Sequence, residues 1–167
     1  MPSVREIAGQ LATELRELHK ALLQAARAAY EAEHGPVAGT MQLLHLVVHD
    51  PAFAWLRPLS ELMADLDSML DLAEPLTDEE AGAVRGELEH VLTAGQSPAS
   101  PTRSGGGELA NRAVALVARD PDIAIPYARV RQLLLALPAP VAVDAGEALH
   151  ARHRWAEARR HRSHQEP

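Results

Sequence analysis

The chain contains no cysteine, which excludes disulfides, thiolate metal sites, iron–sulfur clusters and cysteine nucleophiles. Aromatic residues are nearly as scarce. Tyr30, Phe53, Trp55, Tyr127 and Trp155 make up 3% of a sequence whose hydrophobic content is 47%. A core must therefore come from Leu, Ala and Val, which favours packed helices over sheets, since strands draw on β-branched and aromatic side chains. Lysine is reduced to Lys20 beside fifteen arginines, a usage we read as GC-rich bacterial coding. Long apolar runs are missing too. The longest, LLLALPAPVAV at 133–143, is too short to span a bilayer and is broken by two prolines. The N-terminal MPSVREIAGQL has charges in its first turn and no apolar signal core. These features predict a soluble, cytoplasmic protein without a membrane partner, and 167 residues are enough to bury a real core.

The net charge of −7 argues against nucleic acid as a partner. The charge is uneven, however. Residues 150–164 hold five Arg against one Glu, a pattern suited to docking on an acidic partner or on the acidic body of the same protein.

Residues 4–33 carry Val4, Ala8, Leu11, Leu15, Leu18, Leu22, Ala26 and Ala29 at steps of three and four, a single helical stripe. Gly35-Pro36 ends that helix. A second helix is expected from Thr40 to His49. Asp50-Pro51 then reads as an N-cap with proline in the first helical position. Arg57 precedes Pro58, which disfavours helical angles at Arg57 and predicts a break or kink before a helix from 59 to about 72. Thr77 and Glu80 have capping-box spacing for a helix reaching Thr93. GQSPASPTRSGGG at 95–107 has the composition of a flexible linker. Helices follow at 108–119, at 121–137 with Pro126 disturbing it, and from about 143 to 163.

LVVHDPAFAW at 46–55 aligns with LVARDPDIAI at 116–125, sharing Leu, Val, Asp, Pro and Ala. The common content is a helix that ends, a capping Asp, a proline that sets the next helix, and apolar residues that pack the corner. Such a corner needs no histidine, and Arg119 stands where the first copy has His49. If the prolines hold Phe53 or Trp55 at the surface instead, the patch of Phe53, Trp55 and Arg57 becomes an interaction surface, because aromatic and Arg side chains are common anchors. Trp155 in the C-terminal segment is a further candidate.

Histidine spacing raises a second possibility. His45 and His49 are four apart, as two metal ligands on one helix often are. They lie on the only polar strip of a helix otherwise made of Met41, Leu43, Leu44, Leu46, Val47 and Val48, which reads as deeply embedded. The plain expectation is that the strip faces solvent. A metal or cofactor role requires further ligands, with His19 or His90 as candidates. His150, His153, Glu157, His161 and His164 would share one helical face, where adjacent pairs could hold a divalent ion such as zinc. Glu31/His34 and Glu87/His90 have Glu-x-x-His spacing but sit on the wrong faces for an inward dinuclear site. SGGGE at 104–108 lacks the lysine of a phosphate loop, and no Ser, His and Asp arrangement suggests a nucleophile.

The sequence thus predicts an all-α fold of six to seven helices. A four-helix unit at 1–94 is followed by the 95–107 linker and by helices at 108–167, which pack on the bundle or on a second subunit. The long stripe of residues 4–33 suggests a homodimer. The expected function is non-enzymatic, through contacts with a protein partner or with itself and with no cofactor. The alternative is a histidine-based metal or cofactor site.

Overall fold

The structure is a computed structural model that describes residues 1–72, 75–93 and 106–140. It contains six α-helices and one 3-10 helix, with no strand among the described residues. They run in the order α1 (Val4–His34), α2 (Thr40–His49), η1 (the 3-10 helix Pro51–Leu56), α3 (Arg57–Asp71), α4 (Asp78–Thr93), α5 (Gly106–Val117) and α6 (Pro121–Ala136). The all-α bundle expected from composition is what forms. The 95–107 linker, apart from the Gly106-Gly107 start of α5, lies outside the described residues. So do the last expected helix, with its histidine stripe, and Trp155.

Local chemistry sets the ends of α1. Ser3 and Glu6 form a reciprocal capping box, with the Glu6 carboxylate accepting from the Ser3 backbone N–H at 2.6 Å and the Ser3 hydroxyl accepting from the Glu6 N–H at 3.2 Å. At the other end Gly35 takes φ 86° and donates its N–H to the Glu31 carbonyl at 2.9 Å. Gly39, at φ 89°, opens α2. Both conformations favour glycine, so the two residues bracket a tight turn. Glu31 holds that turn shut. Its carboxylate accepts from the Val37 N–H and from Arg27 Nε, each at 2.9 Å, and these bonds lower its pKa, the Val37 bond most. The Glu-x-x-His pair at Glu31 and His34 is thus engaged in closing a helix. His34 itself stacks on Tyr30, with ring centroids 4.3 Å apart.

Helix α1 is the spine. Leu11, Leu15, Leu18 and Leu22 are fully enclosed, and α1 packs most extensively on α6, then on α3 and η1. This corrects the expectation of an open stripe available for dimerisation: the chain covers it with its own helices. Helices α4 and α5 pack together, and Leu109, Ala113, Ile123, Val130 and Leu134 join the α1 leucines in one continuous core. Arg85 on α4 donates to the Leu137 carbonyl at 2.9 Å, and the Tyr127 hydroxyl donates to the Leu92 carbonyl at 3.3 Å. Arg5 donates to the Leu70 and Leu72 carbonyls, fixing the end of α3.

Two details differ from the local expectations. Arg57 adopts helical angles, φ −56° and ψ −44°, despite the following proline, so α3 starts there directly from the 3-10 helix. The proline penalty is an average bias, and here the first turn of α3 absorbs it because Pro58 falls where its missing N–H costs no bond. Likewise α6 continues through Pro126, which is buried near the N-terminal end of the helix.

Candidate interaction surface and histidine sites

Asp50 builds the corner at the opening of η1 as its sequence suggests. Its carboxylate accepts from the Ala52 N–H at 2.8 Å, and Pro51 sets the first turn. Asp120 does the same for Asp122 at 2.9 Å at the start of α6. Phe53 and its counterpart Ile123 are both enclosed. The parallel then stops: Trp55 is 3% exposed whereas Ile125 is 54% exposed.

That geometry corrects the interaction patch expected at Phe53, Trp55 and Arg57. Phe53, at 1% exposure, lies with its ring centroid 5.6 Å from that of Tyr30. Trp55 donates its indole N–H to the Ala52 carbonyl at 3.0 Å, and the Arg112 guanidinium lies 5.3 Å from its ring centroid. Both rings are core, and truncating either would open a cavity instead of removing a contact surface. Of the three, only Arg57 is exposed, and it donates to the Val48 carbonyl at 3.3 Å.

The surface that does stand open is the preceding helix. Helix α2 packs chiefly on η1 and buries only Leu46. Met41 is 77% exposed, Leu44 54% and Val48 50%. The deeply embedded helix expected from its composition is therefore a helix half out of the protein. An apolar sequence on nearly every side predicts a covered helix, but coverage depends on neighbours, and among the described residues α2 meets them chiefly on the side that carries Leu46.

His45 and His49 are exposed, and their ring centroids lie 4.6 Å apart. Neither expected third ligand joins them. His90 is exposed on α4. His19 sits between α1 and α3, with Nε2 2.9 Å from Ser60 Oγ, and burial lowers its pKa. Among the described residues no group of three or more His, Cys, Asp or Glu gathers into a metal site. The C-terminal candidates His150, His153, Glu157, His161 and His164 lie outside the described residues.

The His19–Ser60 pair has no sequence signature, since its members are forty-one residues apart. Ser60 donates to the Leu56 carbonyl at 3.2 Å, so its oxygen is left to accept from the imidazole. The pair reads as a tie between two helices, not as a nucleophile and its base. A shallow groove of about 400 Å³ runs between α1 and α6, lined by Gln10, Thr13, Glu14, Arg129, Gln132 and Leu133. Glu14 there places one carboxylate oxygen 3.5 Å from Arg129 Nη1, while the other is enclosed and accepts no bond from the described residues. No described helix is long and apolar enough to cross a membrane. No family model, curated protein or solved structure matches this chain.

Proposed function

We propose that this protein acts by protein–protein contact through the uncovered face of α2. The observation that carries this reading is the alignment of Met41, Leu44 and Val48, all at least half exposed, at steps of three and four along one helix. Single exposed apolar residues are ordinary on a soluble protein, but contiguous ones mark contact surfaces. The other large exposed apolar side chains among the described residues are Met1 at the N-terminus and Val114, Ile125 and Leu135, dispersed over α5 and α6. Arg57 lies beside the C-terminal end of α2 and supplies a polar rim.

A photo-crosslinking amino acid at Leu44, expressed in the native cell, tests the reading. Discrete adducts are expected from position 44, and none from a control at the exposed Lys20 on α1. Equal yields from both positions, or no adduct at 44, would remove α2 as the working surface.

A further inference from the structure

We infer that the occupant of the α2 face is α2 of a second copy of this chain, and that a zinc ion held by His45 and His49 of both copies closes the pair. The inference rests on the contact reading above and adds the partner and the metal. At 100° per residue, Leu44, Val48, Met41, His45, His49 and Gln42 follow one another around about 160° of the helix. The open face therefore has an apolar flank and an imidazole flank. When two such helices pair antiparallel about a two-fold axis, each flank meets its own like: apolar on apolar, imidazole on imidazole. A parallel pair would set the imidazoles against the apolar flank of Leu44, Val48 and Met41. Self-pairing of one patch is how most homodimers are built.

Charge permits a second copy at this place and at few others. The chain carries −7 in all, so two copies repel across most of their surface, yet Thr40–His49 contains no Asp, Glu, Lys or Arg. Pairing here buries no fixed charge, and a divalent cation between the copies offsets their common sign. Size explains why a metal is required. A ten-residue helix is about 15 Å long and falls well short of the roughly 800 Å² per partner of a stable interface. The apolar flank orients the pair but does not hold it.

The ligand count points the same way. Two imidazoles one turn apart, with centroids at 4.6 Å, can grip one ion, but a closed structural zinc site takes four ligands. The described part of one chain offers no third, whereas two copies supply four. Imidazole donors select zinc over magnesium or calcium, which prefer oxygen.

The test uses the untagged full-length chain, stripped of metal by a chelator and followed by sedimentation velocity during a zinc titration. A monomer without zinc and a dimer at one zinc per two chains are expected, reversed by chelator. The double variant His45→Gln/His49→Gln should stay monomeric at every zinc level, with an unchanged helical circular dichroism signal. Leu44→Asp should block the dimer while leaving the fold intact. A dimer that survives the double histidine change, a dimer without zinc, or a monomer that saturates at one zinc per chain overturns the inference. The two readings fail separately: an adduct from Leu44 to a different protein keeps α2 as a contact surface and removes the second copy as its occupant, whereas no adduct at 44 removes both.

Discussion

His19 and Ser60 meet at 2.9 Å across the α1–α3 packing, and the burial of the imidazole there makes a single histidine a term in stability. Burial lowers the His19 pKa, so the folded protein binds a proton there less readily than the unfolded chain, whose imidazole titrates near about 6.5. The sign follows from linkage: the His19 contribution is whole above about pH 6.5 and is lost as pH falls towards the depressed folded value. Wild-type protein is therefore expected to lose thermal stability between pH 7.5 and 5 more steeply than His19→Gln. Parallel melting curves for the two proteins would show that His19 carries no proton-linked term. None of this was legible from spacing, because contacts between helices are set by packing angle, which the order of residues along one helix does not reveal. The corner at Asp50 and Pro51 was legible, since an N-cap acts on its own next two residues. Whether its aromatic rings faced in or out was not, and both face in.

Elements carry a second contrast, between two glycines inside helices. A Cβ at Gly9 of α1 would meet nothing within 4 Å, whereas at Gly82 of α4 it would lie 2.9 Å from the Ala139 carbonyl oxygen. Gly9→Ala should stabilise the protein by about 0.5–1 kcal/mol, the usual helical advantage of alanine. Gly82→Ala gains the same propensity but must displace backbone at 139, so it should destabilise. Urea midpoints of the two variants moving in the same direction would contradict this packing. Helix positions were read closely from the sequence, because periodicity and capping are local: α1, α2 and α4 fall within a residue of expectation. The break before Pro58 was not observed, since a proline bias that disfavours helix on average is outweighed when the residue falls in a first turn.

At the scale of the whole molecule the described chain has one core. The α1 stripe, long enough to suggest a dimer when seen alone, is covered by α6 and α3. Leu109, Ile123, Val130 and Leu134 come from beyond residue 105 and sit in the same cluster as Leu15 and Leu18. A fragment of residues 1–93 is thus expected to lack cooperative unfolding, because it exposes the leucines that α6 encloses. Circular dichroism during a urea titration checks this, and a sharp single transition in the fragment would show that the first four helices form a core of their own.

The sequence by itself determined that this protein is helical, where most helices start and stop, and that an Asp-Pro corner follows α2. Those outcomes depend on hydrogen bonds and side-chain periods within a few residues of each other. Only the tertiary structure decided which faces are covered. It enclosed the leucine stripe of α1, Phe53 and Trp55, and left Met41, Leu44 and Val48 open beside two histidines, because burial depends on which distant helix arrives alongside, and among the described residues α2 receives too few neighbours to cover it.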